Sequence, residues 1–442
     1  MKYDVIVIGG GPSGLMACIA AAEHGAKVGL IDKGDKLGRK LGISGGGRCN
    51  VTNAKEIDEL IKFIPGNGRF LYSALDTFSN KDIMAFFEDM GIALKEEDRG
   101  RMFPVSDKAK TVVDALVNKV RSLGVDIRVN SPVAEVLYTD DSTDGATDGA
   151  TDGATDAAKD RATSGVLLRS GEKLESRCVV IASGGKSVPH TGSTGDGYSW
   201  AEAAGHTITE LYPTEVPMTS SEPFIRNREL QGISLRDITL TVWSPKGKKV
   251  KEHEGDLIFT HFGISGPAVL RCSQYVVKQR KQFSVKEILL TIDLFPEREL
   301  EELRTDALLL AANEPKKSLK NVLKGFIPER MISLLLKMAG LAEDLTYHNI
   351  PKLTWLELIK LLKAFPVIVD GTLSIEEAFV TGGGVNLKEI DPRTMHSKLT
   401  DGLYFCGEIL DVHGYTGGYN ITAAFTTGYT AGKSAAEHVY PK

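Results

Sequence analysis

Residues 2–34, KYDVIVIGGGPSGLMACIAAAEHGAKVGLIDKG, decide the fold. Tyr3 to Ile8 is an apolar, β-branched run and reads as a buried parallel strand. It enters Gly9-x-Gly11-x-x-Gly14 directly. Leu15 to His24 is alanine-rich and reads as a helix that Gly25 stops. Lys27 to Ile31 reads as a second strand, ending at Asp32. A dinucleotide fingerprint requires this strand–turn–helix–strand context. Gly9 permits the tight turn, Gly11 leaves the backbone bare toward a pyrophosphate, and Gly14 lets the helix close on the strand. The helix N-terminus offers unpaired N–H groups and the positive end of its dipole. Asp32 follows Gly14 by 18 residues, where a carboxylate can accept ribose hydroxyls. An acid there repels a 2′-phosphate, so the pattern favours FAD or NAD over NADP.

The 442 residues are enough for two or three domains. Basic and acidic side chains number 53 and 58, a net charge of −5 that leaves no polyanion-binding footprint. No apolar run approaches the roughly 20 residues of a membrane span. The N-terminus reads as a folded strand rather than a signal peptide, because Asp4 interrupts it and Gly9 to Gly11 end it. The five scattered cysteines contain no CxxC pair, which fits a reducing cytoplasm and gives no metal or disulfide signal.

Residues 33–53, KGDKLGRKLGISGGGRCNVTN, are too glycine-rich for an element. Gly45, Gly46 and Gly47 can bring backbone N–H groups against an anion or a flat ring, beside the positive charge of Arg39, Lys40 and Arg48. This loop is expected to form a second wall of the cofactor site. Residues 57–91 read as amphipathic helix, 111–123 as another, and 125–129 and 133–138 as strands. The repeated TDGA of residues 140–162 cannot bury a core and reads as a flexible hairpin tip. Residues 165–168, 173–175 and 178–181 complete a β-meander that ends at Ala182-Ser183-Gly184-Gly185. Residues 190–197 look like a hinge into an insert, β-rich to residue 296 and helical from 297 to 365. Leu403–Cys406 then reads as a strand, followed by Gly407-Glu408 and an alanine-rich helix whose start, Tyr419 to Thr422, is a second dipole end.

An N-terminal fingerprint paired with a late strand–GE–GG–helix resembles the FAD-binding group that includes the disulfide reductases. In that group the late acidic residue, here Glu408, contacts the ribityl chain. Within it the chain is similar to the BaiN-like bacterial flavoproteins, which include aminoacetone-oxidase-like members. The matching stretches are GRKLGISGGGRCNVTN (38–53), TGSTGDGY (191–198), FTHFGISGPAVL (259–270), VTGGGV (380–385) and GLYFCGEILDVHGYTGGYN (402–420). The resemblance covers nearly the whole chain except the TDGA segment. It implies an α/β fold: a Rossmann-like FAD-binding domain of glutathione-reductase type, with an inserted β-barrel-like domain and a helical cap. The expected boundaries are 1–190 with 371–442 for FAD binding, 191–296 with 366–370 for the β-rich insert, and 297–365 for the helices. The expected contacts to one non-covalent FAD are Gly9, Gly11, Pro12, Ser13, Gly14, Asp32, Lys33, Arg39, Lys40, Gly45, Gly46, Gly47, Arg48, Asn50, Val133, Ala182, Ser183, Gly184, Gly407, Glu408, Gly418, Tyr419, Asn420 and Ile421.

Absences narrow the chemistry. A disulfide reductase needs two cysteines beside the flavin, yet Cys49 stands alone with Ala54 five residues on. There is no second GxGxxG after a mid-chain strand, so NAD(P)H as a transient electron donor has to dock at the flavin itself. Candidates for touching substrate are His413 and Tyr415 in the late glycine loop, with His190 and His261 as weaker ones. Cys49 reads as a buried small residue rather than a nucleophile. These features give the expectation of a cytoplasmic FAD-dependent oxidoreductase acting on a small organic molecule, by C=C or C=O reduction or amine oxidation, with no metal, nucleic acid or membrane partner. The competing readings are a flavin-dependent RNA-modifying enzyme, which the acidic balance disfavours, and a non-catalytic flavin-binding redox protein. The substrate pocket is expected between the flavin ring and the insert.

Overall fold

A computed structural model describes residues 2–139, 161–346 and 352–441; the TDGA segment lies outside them. The chain forms two compact units, Met1–Tyr212 with Val380–Lys442, and Pro213–Phe379.

The first unit is built on a seven-stranded sheet. The N-terminal strand, Lys2–Ile8, pairs in parallel with Val28–Ile31 on one side and Lys173–Ile181 on the other. Asp126–Arg128 extends the sheet beyond Val28–Ile31. The strand Lys173–Ile181 is continuous, where the sequence suggested two pieces. Its length lets it take two partners along its outer side: Thr163–Leu168 at its start and Leu403–Phe405 at its end. The last pairing brings the C-terminal segment beside the fingerprint. Both faces of the central strands are covered, so Val5 to Val7 and Cys178 to Ile181 are fully buried and read as unbroken apolar runs.

The first helix, Pro12–Glu23, and the last, Tyr419–Val439, pack backbone to backbone. A Cβ on Gly428 would lie 2.3 Å from Ser13 O, and one on Gly432 would lie 2.1 Å from Ala17 O. Only glycine permits that approach. The predicted helical stretch 57–91 is three helices, Ile57–Lys62, Tyr72–Thr77 and Asn80–Asp89. The third starts with a capping box: Asp82 N donates to Ser79 Oγ (3.1 Å) and Ser79 N to the Asp82 carboxylate (2.7 Å).

Two further expectations are corrected here. The glycine-rich residues 38–53 are not bare loop: Arg39–Ile43 is helical and Ser44–Gly47 is a 3-10 turn. A small sheet of Thr52–Asn53, Leu94–Glu97 and Arg101–Pro104 follows. The expected hinge at 190–197 belongs to the first unit and runs into a helix, Asp196–Ala203.

The second unit contains a seven-stranded antiparallel sheet. Its long hairpin, Ser234–Trp243 with Lys249–Phe259, is flanked by Ile288–Asp293 and then Phe365–Val369. At the other edge lie Gly263–Ser265, Met218–Thr219 and Gly371–Thr372. The two edge strands Phe365–Val369 and Gly371–Thr372 are consecutive in the chain, so the sheet curls toward closure as a barrel-like body. The helices between 300 and 363 share one apolar core with it: Leu303, Met331, Leu335 and Leu358 pack with Leu240, Leu290 and Phe365.

Candidate functional site

The three fingerprint glycines do different jobs. Gly9 has φ +107°, and a Cβ there would sit 2.5 Å from Ala182 O. A Cβ on Gly14 would lie 1.8 Å from Gly9 O. A Cβ on Gly11 meets nothing within 4 Å, so the backbone there faces open space at the start of the first helix. Ser13 is buried beneath Gly407, whose Cβ would come within 2.4 Å of Ser13 Oγ. The fingerprint and the late GE motif therefore meet directly.

Asp32 is clamped by backbone donors, Gly10 N to Oδ2 (2.6 Å) and Gly34 N to Oδ1 (2.7 Å). Beside it is an open cavity of about 320 Å³, lined among others by Lys33, Arg39, Asn130, His190 and Thr194. Asn130 N and Ser131 N bond Gly34 O and Asp32 O, which leads into the strand that Val133 begins. Lys33 pairs with Asp196 (2.5 Å) and Arg39 with Asp35. His190 lines the cavity around the ribose-type acid.

Lys40 and Glu408, 368 residues apart, form the polar centre of the unit. Lys40 Nζ reaches Glu408 Oε2 (2.6 Å) and Ser187 Oγ (2.7 Å). Glu408 Oε1 accepts from Ser187 Oγ (2.8 Å) and from Thr381 N (2.8 Å). Burial pushes the Glu408 carboxyl up, but the Lys40 ammonium and the hydrogen bonds outweigh it and hold the group below its ordinary value of 4.5. Its stabilising contribution is therefore complete above that ordinary value and is lost as pH falls through the depressed folded one. Glu408→Gln is expected to cost about 2 kcal/mol at neutral pH, a figure reduced for partial exposure. The difference from wild type should shrink on acidification; urea unfolding by circular dichroism at several pH values tests this, and a difference independent of pH contradicts it.

The glycine turn is left-handed throughout, with φ +57°, +68° and +85° at Gly45, Gly46 and Gly47. A Cβ on Gly46 or Gly47 meets nothing within 4 Å. Successive backbone N–H groups in such a turn suit an anion. Arg48 is turned aside: it pairs with Glu97 (2.8 Å) and Asp107 (3.5 Å) and lies 4.1 Å over the Phe103 ring. Burial pushes the Cys49 thiol up to about 12. The other four cysteines are buried too, and burial raises each thiol. None is a ready thiolate.

Asn50 meets the last helix at Gly418, where a Cβ would lie 2.9 Å from Asn50 Oδ1. Among the described residues, Asn50 Oδ1 and Ser183 Oγ are buried with no hydrogen-bond partner. Gly184 is left-handed, with φ +76°. Gly418 caps the helix at φ +96°, and Ile421 lies half-buried in its first turn. Asn420 is occupied by its own loop: its amide bonds Gly414 N and O, both at 2.8 Å. Tyr419 stacks on Phe63 at 5.0 Å. His413 and Tyr415 are buried rather than presented on a loop surface. His413 Nε2 meets Tyr212 OH at 3.0 Å, and its backbone bridges Gly66. His261 is exposed in the second unit.

Sequence reasoning missed Ser187 and Thr381, which complete the Lys40–Glu408 centre, and Tyr198, whose hydroxyl is buried without a partner among the described residues. It also missed a basic cluster in the second unit. Lys246, Lys248, Lys249 and Lys251 are exposed around the long hairpin's turn, and Lys246 lies 5.5 Å over Phe283 at the end of the helix Pro267–Phe283. Lys278, Lys281 and Lys286, in and just after that helix, are exposed as well, with Lys278 Nζ bonded to Gln274 Oε1 (3.1 Å).

An open backbone at Gly11, a clamped acid at Asp32, a left-handed glycine turn and two unpartnered buried polar atoms all fit a bound dinucleotide with a long polar chain, as in FAD. Fold and cradle together define a Rossmann-type flavoenzyme. The chain belongs to the HI0933-like protein Rossmann domain family, whose model matches residues 3–434. Ribosomal RNA dihydrouridine synthase of Haemophilus influenzae is 32% identical over 431 residues, 97% of each chain. The 3-dehydro-bile acid delta(4,6)-reductase of Clostridium scindens is 29% identical over 435 residues, 98% of each. In fold, the chain resembles 3-ketosteroid delta1-dehydrogenase from Sterolibacterium denitrificans, with a TM-score of 0.52 at 14% identity over 98% of this chain and 99% of that one. Among the described residues, no helix is long and apolar enough to cross a membrane.

Proposed function

We propose that this protein is an FAD-dependent reductase that saturates a C=C bond conjugated to a carbonyl group. The observation that carries the reading is the pair of full-length relatives. Their names denote very different substrates but one reaction: dihydrouridine is uridine saturated at a ring C=C next to a carbonyl, and a delta(4,6)-reductase of a 3-oxo compound acts on a conjugated diene. When bound and reduced by an external two-electron donor such as NAD(P)H, the flavin would supply the hydride, and a proton would complete the saturation. The chain holds the pyrophosphate at Gly11 and the start of the first helix, the ribose at Asp32, and the ribityl region at Lys40–Glu408, with Asn50 and Ser183 as further polar contacts. The buried cysteines support a reaction without thiol–disulfide exchange.

For the substrate we favour a uridine of ribosomal RNA. Exposed Lys246, Lys248 and Lys251 at the hairpin turn, beside a Lys249 paired with Glu252, support this choice. The earlier expectation of no nucleic-acid partner is set aside in this reading. A small conjugated ketone is the second reading, supported by the bile-acid relative and by the acidic balance of the whole chain. Nucleoside analysis of ribosomal RNA separates them. Cells lacking the gene should lose a dihydrouridine that the wild-type gene restores; an unchanged content contradicts the RNA reading and leaves enone reduction by the purified protein to decide the second.

Asp32→Ala is expected to weaken FAD binding by about 1–3 kcal/mol, since a charged acceptor for the ribose is lost. Because Asp32 also holds Gly10 and Gly34, Asp32→Asn is the control for loop collapse. Titration of apoprotein with FAD measures both; an unchanged dissociation constant in the alanine variant removes Asp32 from the ribose site.

A further inference from the structure

At the opposite end of the strand Leu403–Phe405 from Gly407, three side chains converge that the cofactor site does not use. They are His396 and Asp401, before the strand, and His438, in the last turn of the C-terminal helix. One ligand-type atom from each lies within 4.8 Å of the others. His396 Nε2 is 3.3 Å from Asp401 Oδ1, and His438 Nε2 is 3.6 Å from Asp401 Oδ2. Ligands bound tetrahedrally at about 2.0–2.2 Å stand roughly 3.3–3.6 Å apart. The two His–Asp separations match that spacing, and the third pair lies within 4.8 Å, so a small rotation of the side chains gathers all three on one small ion.

Protonation points the same way. Gly402 N donates to His396 Nε2 at 3.1 Å, which leaves that nitrogen unprotonated and places the ring hydrogen on Nδ1. This is the tautomer a metal ligand needs. Asp401 Oδ1 lies 3.3 Å from the same nitrogen. The surroundings add negative potential. The C-terminal end of the 21-residue helix Tyr419–Val439 is at the site. The Tyr404 ring packs edge-on against both imidazoles, at 4.9 Å and 6.4 Å, and forms a wall.

We propose that His396, Asp401 and His438 bind a divalent transition-metal ion of the zinc class, with water as the fourth ligand. Two imidazoles and one carboxylate suit zinc or cobalt rather than calcium or magnesium, which take oxygen ligands. The ion takes over the His396 lone pair from Gly402 N–H and ties the segment 396–401 to the end of the last helix. The site is independent of the proposed reaction.

The test uses full-length protein with no affinity tag, stripped with chelator and then dialysed against zinc or cobalt. One ion per chain is expected, with a cobalt absorption spectrum of tetrahedral type and a raised unfolding temperature. His438→Ala and Asp401→Asn change exposed side chains and should keep FAD content while binding the ion at least about tenfold more weakly, since even indirect partners of a metal ligand cost that much. In both variants the zinc-induced rise in unfolding temperature should vanish. No saturable uptake by the wild type, or equal uptake by both variants, overturns the proposal.

Discussion

Gly11→Leu is expected to yield a folded, colourless protein. Gly11 has φ −76°, which any residue adopts, and its Cβ direction is open to beyond 4 Å. The protein itself therefore loses little. The side chain instead fills the space in front of the first helix where a pyrophosphate has to approach the backbone. FAD affinity should fall more than about 100-fold, or roughly 3 kcal/mol. Acid precipitation of the wild type should release one FAD per chain, and the variant should release almost none while keeping its circular dichroism. Gly14→Leu is the contrast: with Gly9 O only 1.8 Å from the new Cβ, it should fail to fold rather than merely lose colour. A yellow Gly11→Leu protein would place the phosphates elsewhere.

Gly432→Leu is expected to abolish stable folding from the other end of the chain. Its Cβ would stand 2.1 Å from Ala17 O, which is backbone and cannot rotate away. Separating the first and last helices also withdraws Ser13 from beneath Gly407 and breaks the contact between fingerprint and GE motif. The cost should be about 3 kcal/mol or more, a large part of the 5–15 kcal/mol typical of a domain. Soluble yield and urea midpoints of the Ala and Leu variants measure it. A Leu variant as stable as wild type would mean that the two helices do not cross at Gly428 and Gly432.

These two glycine pairs also show what could be read in advance. The fingerprint is local: turn, helix start and terminal acid fall within residues 2–34, so spacing alone specifies the geometry. The C-terminal helix was equally visible, and its Gly428-Tyr-Thr-Ala-Gly432 spacing signals a close helix contact. Its partner was not visible, because nothing local to Ala17 records what packs on it. The Lys40–Glu408 centre was out of reach for the same reason, with Ser187 and Thr381 brought in from two further segments. In the second unit, the strand Lys249–Phe259 alternates exposed Lys and Glu with buried Gly255, Leu257 and Phe259. Its charged outer face keeps most of it from reading as a strand. The same alternation hid the lysine cluster from a reading based on overall charge. The catalytic candidates fared differently: His413 and Tyr415 sit in a glycine loop by sequence, yet packing against Gly66 and Phe63 buries them.

The most direct test of the proposed chemistry is a single turnover. Purified holoprotein is reduced without oxygen, then mixed with ribosomal RNA from cells lacking the gene or with a 3-oxo-4,6-diene steroid. The account predicts that one of these substrates restores the oxidised flavin spectrum and gains two hydrogens across its conjugated C=C bond, detected by mass spectrometry. A flavin that stays reduced with both, in protein that contains one FAD per chain, would contradict it.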